Sequence, residues 1–114
     1  MSYRKYHNRR VKCPEGHMHD SIFEASYCMG LRARLQAGEI KGYSVHVAFD
    51  IRVKGVLICR HIVDFLVCRA PGFTEVHETK GVKTAAWSIK HKLFQAIYPE
   101  IPYIIIQKSK RRMR

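Results

Sequence analysis

The sequence predicts an α/β domain in which one mixed sheet is flanked by helices. Apolar residues recur with helical spacing in two segments, and four other segments are rich in alternating or continuous β-branched residues. The second helical segment is long enough to connect two parallel strands, which would make the sheet mixed. The predicted elements, in the order α-β-β-β-α-β, are helices over 21–37 and 83–98 and strands over 43–53, 56–68, 73–80 and 103–107.

Turn-forming residues separate these elements. Residues 13–20 predict an irregular or hairpin segment before the first helix. Ser21 and Glu24 have the spacing of a capping box, which marks the start of that helix. The later breaks in the pattern are Gly38, Lys54-Gly55, Ala70-Pro71-Gly72, Gly81 and Pro99.

The chain is the size of one domain, and its positive charge is concentrated at both ends. We expect a single domain over 1–114, with basic arms at 1–12 and 108–114. The net charge of +12 comes from 21 basic and 9 acidic residues, and the two arms hold ten of the basic ones. Such arms bind polyanions through counterion release, although a solubility tail or an RNA-binding arm is an alternative. The residues expected to contact nucleic acid are Arg4, Lys5, Arg9, Arg10, Lys12, Lys83, Lys92, Lys108, Lys110, Arg111 and Arg112.

Membrane insertion and secretion are not expected from the sequence. No apolar run approaches the length of about 18 residues that a membrane span needs, and the basic N-terminus has no apolar stretch behind it. The cysteines, Cys28 among them, are therefore predicted to be reduced, small core residues. Cys13, His17 and His19 suggest zinc, but a second pair of ligands at usable distance is missing, so metal binding there is left open.

Asp64 occupies a position where a carboxylate is unexpected. Alternation in the strand 56–68 places it on one face with Ile62 and Leu66, and both faces of this strand are apolar, so the strand is predicted to be interior. A carboxylate there is costly unless it is paired or holds a metal. An ion pair with a helix lysine or arginine is the alternative to a functional role.

Glu78 and Lys80 lie two residues apart on the next strand and therefore share a face. A hairpin across 70–72 would bring them toward Asp64. Two carboxylates can hold Mg²⁺, which polarises a phosphate and activates water, and a lysine can stabilise the developing negative charge. The backbone carbonyl of Thr79 could supply a further oxygen ligand. The sequence therefore predicts the chemistry of phosphodiester hydrolysis.

Three features leave alternatives open. About one E-x-K triplet is expected by chance, and a second one, residues 39–41, is interpreted as a solvated turn. Glu24 lies among apolar residues of the first helix, where it could be a helix cap, a functional carboxylate or both. Lys90 lies within the apolar arc of the second helix, where it could extend to solvent or reach the metal site.

These residues together match a known pattern. Glu24 on a first helix, Asp64 on a strand, and Glu78-Thr79-Lys80 on the next strand before a helix resemble the PD-(D/E)XK nuclease superfamily. The resemblance covers about residues 20–106, although Val63 stands where the superfamily often has proline. The segments similar to small phage-borne members, whose relatives include Holliday junction resolvases, are 20–25, 38–41, 80–81 and 90–94.

The resemblance implies a restriction-endonuclease-like α-β-β-β-α-β core and often a homodimer. It implies a Mg²⁺-dependent phosphodiesterase site, in which Mn²⁺ could substitute. Glu24, Asp64 and Glu78 would be metal ligands, and Lys80 would be the catalytic lysine. Lys90 matches a position where some members carry a polar residue, so it joins the catalytic candidates.

The function expected from the sequence is that of a structure-selective DNA endonuclease in the cytoplasm of a bacterium or phage-infected host. Branched DNA is the favoured substrate, because a dimer presents two sites to two strands, and linear DNA is the alternative. A non-catalytic DNA- or RNA-binding module on the same fold is the second hypothesis, and a translation-linked basic protein is the third. An intact set of carboxylates and lysine favours the enzyme, since a binding module does not need an acid in an interior strand.

Overall fold

The computed structural model describes residues 11–13, 16–19, 21–80 and 83–107. The chain divides into two compact units, Met1–Glu39 and Ile40–Arg114, and each is treated separately below. The predicted nucleic-acid contacts that lie outside the described residues are Arg4, Lys5, Arg9, Arg10, Lys108, Lys110, Arg111 and Arg112.

The N-terminal unit is a small hairpin followed by a helix. Strands β1 (Val11–Lys12) and β2 (Met18–His19) pair antiparallel, which confirms the predicted hairpin. Helix α1 (Ile22–Gln36) begins at the N-cap Ser21, whose hydroxyl accepts a hydrogen bond from the backbone N–H of Glu24 at 3.1 Å. The helix ends before Gly38, which has φ 80. Within the described part of this unit the buried side chains are Cys13, His19, Glu24, Ala25, Cys28 and Leu31.

The C-terminal unit contains a four-stranded sheet in the order β3-β4-β5-β6. Its first three strands are antiparallel, and β5 pairs with β6 in parallel after the intervening helix α2. The chain is therefore an α/β protein with a mixed sheet and two helices, as the sequence predicts. The elements of this unit are β3 (Gly42–Val53), β4 (Val56–Ala70), β5 (Phe73–Thr79), α2 (Ala85–Ile97) and β6 (Tyr103–Ile106).

The core of this unit forms where α2 packs on the sheet. Its fully buried members are Ile51, Val63, Val76 and Phe94, and the Phe94 ring meets Phe49 edge to face at 4.9 Å. Helical spacing places Ile89 in the apolar arc of α2, and this prediction is wrong, because Ile89 is 60% exposed. The rings of Trp87, His91 and Phe94 on α2 instead approach Tyr103 of the sheet.

Strand β4 is interior, as predicted, but it does not alternate regularly near Asp64. Val63 and Leu66 both pack in the same core, although strict alternation would place them on opposite faces. On the neighbouring strand β3, Val45 pairs with Phe65 and Val47 pairs with Val63. His46, which lies between these two positions, has φ 55. This local distortion explains why Ile62 is 59% exposed while Asp64, two residues later, is half-buried.

Candidate functional site

Asp64 is fixed at the end of β5 by two hydrogen bonds. The backbone N–H and the hydroxyl of Thr79 both donate to Asp64 Oδ2, each at 2.8 Å. A side chain held by two donors loses its rotational freedom, so the carboxylate stays beside the C-terminal end of β5. Thr79 was predicted to contribute its carbonyl to a metal, and that contribution stays a prediction.

Glu78 is buried beside Asp64 and is bonded by a tyrosine. Only 3% of the residue is exposed. The Tyr103 hydroxyl donates to Glu78 Oε1, and His61 Nε2 lies 2.8 Å from that hydroxyl. Because the single hydroxyl proton of Tyr103 is directed to Glu78, His61 must donate to the Tyr103 oxygen from Nε2. The three groups therefore form a hydrogen-bonded chain that ends on the carboxylate.

The neighbouring groups favour the protonated form of Glu78. Burial, the negative charge of Asp64 and a hydrogen bond between the two carboxyl groups raise the pKa of Glu78 to about 7, against the opposing effects of Tyr103 and Lys80. Burial and the positive charges of His91, Lys90 and Lys80 lower the pKa of His61 to about 4, so His61 is neutral at pH 7. A hydrogen bond between two carboxyl groups requires a proton on one of them, and a bound cation could replace that proton.

The two predicted catalytic lysines lie near this pair. Lys80 Nζ is 4.9 Å from the centre of the Trp87 ring, and its charge lowers the pKa of Glu78. Lys90 is half-buried, and its charge adds to burial and to the charge of His91 in lowering the pKa of His61. Lys83 and Lys92 are exposed, as expected of residues that contact phosphates or solvent.

The sequence did not predict the aromatic wall of this site. Tyr103 bonds Glu78, and His61 bonds the Tyr103 hydroxyl. The ring of His91 stacks on Trp87 at 4.7 Å and lies 4.4 Å from Tyr103. One signal was available: His61, three residues before Asp64, is also a polar residue at a buried position of an interior strand.

Glu24 lies in the N-terminal unit, where it is 3% exposed. The Nδ1–H of His19 donates to Glu24 Oε2 at 2.5 Å. Its backbone N–H bonds Ser21, as the capping box predicts, while the carboxylate itself is engaged by the histidine. Its predicted role beside Asp64 and Glu78 stays a prediction.

A second cluster, which we call the Cys2His2 cluster, consists of Cys13, His17, His19 and Cys28. Each residue offers one ligand atom, and the four atoms all lie within 4.8 Å of one another, so the cluster could hold a metal ion. The sequence shows no second pair of ligands near Cys13, His17 and His19, but the structure brings one further ligand, Cys28, to them. Cys28 was predicted to be a core residue, and it is fully buried, but it also completes this set.

The cluster is also electrostatically coupled. Burial disfavours ionisation of Cys13, but hydrogen bonds from His19, from the His17 backbone and from Cys28 outweigh it and lower the pKa of the Cys13 thiol. Burial likewise opposes protonation of His19, but its hydrogen bonds to Glu24 and Cys13 raise the pKa of His19. Both pKa shifts favour the charged forms, which are the thiolate of Cys13 and the imidazolium of His19.

No helix in the described part of the chain has the length and apolar character needed to cross a membrane. No curated protein and no solved structure matches this chain. From residue 3 to residue 113 the sequence matches the model of a family described as "Protein of unknown function (DUF1064)", and the chain therefore belongs to that family.

Proposed function

We propose that this protein is a Mg²⁺-dependent DNA endonuclease with a restriction-endonuclease-like core of the PD-(D/E)XK type. The observation that carries the proposal is the placement of the buried Glu78 beside Asp64; burial first, and the charge of Asp64 second, raise the pKa of Glu78 to about 7. Two adjacent carboxyl groups in a half-buried setting destabilise each other unless a proton or a cation lies between them. Their oxygen ligands fit a hard cation such as Mg²⁺, and Mn²⁺ would fit the same ligands.

The surrounding residues have roles that suit this chemistry. Mg²⁺ bound by the pair would supply Lewis-acid activation of a phosphodiester and of water. Thr79 orients Asp64 through its two hydrogen bonds, and Tyr103 orients Glu78. Lys80, beside Glu78, would stabilise negative charge on the phosphate, with Lys90 as a second cation on α2. Glu24 is proposed as a third carboxylate by resemblance alone.

DNA is the proposed substrate, because the net charge of +12 favours a polyanion. Branched DNA, such as a four-way junction, is the favoured form, cleaved by a homodimer with two sites. A non-catalytic DNA- or RNA-binding module is the second candidate, because the same charge would serve binding without hydrolysis.

The test is cleavage of a labelled four-way junction and of a matched linear duplex, with Mg²⁺, with Mn²⁺ or without added divalent cation. We expect Asp64→Asn, Glu78→Gln and Lys80→Ala each to reduce cleavage by at least about 100-fold while DNA binding is retained. Glu39→Gln is the matched control, because it alters the acid of the other E-x-K triplet and Glu39 is exposed. DNA binding without cleavage of either substrate by the wild-type protein would reject the nuclease and support the binding module.

A further inference from the structure

We propose that the Cys2His2 cluster is a structural zinc site that joins the β1–β2 hairpin to α1. The hairpin supplies three of the four side chains, and α1 supplies Cys28. This inference does not depend on the proposed nuclease activity, because none of its four ligands belongs to the proposed nuclease site and it involves another class of metal chemistry.

The interatomic distances match a tetrahedral ion. With Zn–S bonds of about 2.3 Å and Zn–N bonds of about 2.0 Å, tetrahedral geometry separates two sulfurs by about 3.8 Å and a sulfur from a nitrogen by about 3.5 Å. Cys13 Sγ and Cys28 Sγ are 3.7 Å apart, and His17 Nδ1 is 3.4 Å from Cys28 Sγ. Both separations agree with two ligands on one zinc ion.

The cysteines are not joined to each other. All four cysteines of the chain are free thiols, and a disulfide would need the two sulfurs at about 2.05 Å. The chain places Cys13 and Cys28 fifteen residues apart in sequence and in contact in space. Two adjacent thiols with two imidazoles beside them form the ligand set that is typical of structural zinc.

Local backbone structure prepares the hairpin ligands. The Cys13 backbone N–H donates to the His17 carbonyl at 2.9 Å, and the Gly16 N–H donates to the Cys13 carbonyl at 2.8 Å. Gly16 has φ 89, a conformation that L-residues rarely adopt, so the turn depends on glycine. This tight turn brings His17 and His19 back beside Cys13.

Glu24 completes the arrangement as a partner of one ligand. It accepts from His19 Nδ1, which leaves Nε2 as the ligand nitrogen of that ring. Histidines that bind zinc commonly donate their other ring N–H to a carboxylate, which fixes the tautomer and orients the ring. The structure therefore assigns to Glu24 a positioning role toward His19.

The charge and size of the unit also suit zinc. Two thiolates and two neutral imidazoles around Zn²⁺ have no net charge, so the complex can be buried without a large desolvation cost. Four of the six buried side chains described in this unit are Cys13, His19, Glu24 and Cys28, which leaves Ala25 and Leu31 as its other buried residues. A unit with so little apolar core gains stability from a metal cross-link.

The primary test is metal binding by the full-length wild-type protein, freed of any affinity tag. After loading with Zn²⁺ and gel filtration, elemental analysis should find about one zinc per chain. Co²⁺ added to apoprotein should give the intense visible bands of a tetrahedral site and a thiolate-to-cobalt charge-transfer band, and Zn²⁺ should abolish both. Excess Mg²⁺ should abolish neither band, because Mg²⁺ prefers oxygen ligands such as Asp64 and Glu78 and does not displace Co²⁺ from thiolates.

Variants test the assignment of the ligands. Cys28→Ser should lower the zinc content at least about tenfold and weaken the thiolate band of any cobalt that still binds, because Cys13 is then the one remaining thiolate of the cluster, whereas Cys68→Ser, outside the cluster, should retain the zinc content and the full band. Glu24→Gln should keep one zinc per chain but weaken binding about 10- to 100-fold. The proposal is overturned if wild-type protein binds no zinc at micromolar concentration, gives an octahedral cobalt spectrum, or if Cys28→Ser keeps the wild-type zinc content and the full thiolate band. Because measurements on the wild-type protein alone decide the first two outcomes, misfolding of a variant cannot rescue the proposal.

Discussion

The Glu78→Gln substitution should make the protein less sensitive to alkaline pH. The pKa of Glu78 is raised from 4.5 to about 7, so between these values the folded state binds a proton that the unfolded state has lost. Stability conferred by that proton is complete below pH 4.5 and is lost as the pH rises through 7. At about 1.4 kcal/mol per pH unit, the free energy of unfolding falls by roughly 3 kcal/mol over this range. Solvent screens this effect little, because Glu78 is 3% exposed.

Urea unfolding from pH 4 to pH 8.5, without added divalent cation, measures this effect. The free energy of unfolding of the wild type minus that of Glu78→Gln should fall by about 3 kcal/mol across the range. Adding Mg²⁺ should reduce the fall, because a cation favours the ionised form. A difference that is flat between pH 4.5 and 8 would refute the raised pKa of Glu78, to which burial and Asp64 both contribute.

Glu75→Gln is the matched control, because Glu75 is a buried carboxylate on the same strand with the opposite environment. Although burial opposes its ionisation, hydrogen bonds from His77 and Arg69 outweigh burial and lower the pKa of Glu75. Stability from this group is present above pH 4.5 and is lost as the pH falls through its lowered pKa. The same substitution should therefore give a pH dependence of opposite sign, confined to acid.

Three further predictions follow from the same unit. Tyr103→Phe removes the donor to Glu78 and should destabilise the protein by about 1.5–3 kcal/mol at pH 8.5, with a smaller loss at pH 5, where Glu78 is protonated; urea unfolding at the two values measures this. The pKa of His61 is lowered to about 4, so neutral His61 contributes stability above pH 6.5 that is lost as the pH falls toward 4. In His61→Asn this loss of stability between pH 6.5 and 4 should be absent when urea unfolding is followed over that range. Phe94→Ala should cost about 3–5 kcal/mol by chemical denaturation, whereas Ile89→Ala should cost under about 1 kcal/mol because Ile89 is exposed.

Periodicity predicted the order and type of the main elements because apolar residues recur on them with helical or strand spacing. The predicted bounds differ from those of the structure by a few residues, as at the second helix, which was predicted from residue 83 and begins at Ala85 after the N-cap Thr84. Periodicity failed at Ile89, because a helix with apolar residues on more than one side does not reveal which side faces the sheet. Pairing between distant residues, such as Val76 with Tyr103, depends on topology rather than on local pattern.

The carboxylate pair could be predicted because Asp64 contradicts the apolar pattern of its strand and Glu78 lies two residues before Lys80 on the next strand. Tyr103 could not be, since a tyrosine in a strand fits ordinary β propensity and its bond to Glu78 depends on the parallel pairing of β6 with β5. Cys28 escaped for a related reason. A cysteine on the buried side of a helix is usually a small core residue, and its approach to Cys13 depends on a hairpin with only two residues in each strand.

The two proposed metals impose a condition on any experiment with chelators. EDTA would remove Mg²⁺ from the carboxylate pair and Zn²⁺ from the Cys2His2 cluster, so loss of cleavage in EDTA could arise from either site. The sites differ in ligand softness: oxygen ligands release Mg²⁺ readily, whereas thiolates and imidazoles retain Zn²⁺. Dialysis against buffer without divalent cation should therefore remove activity while zinc content stays near one per chain, and Mg²⁺ alone should restore cleavage. Loss of zinc in parallel with activity, and recovery of activity with Zn²⁺ but not with Mg²⁺ in wild type and not in Cys28→Ser, would instead implicate the Cys2His2 cluster.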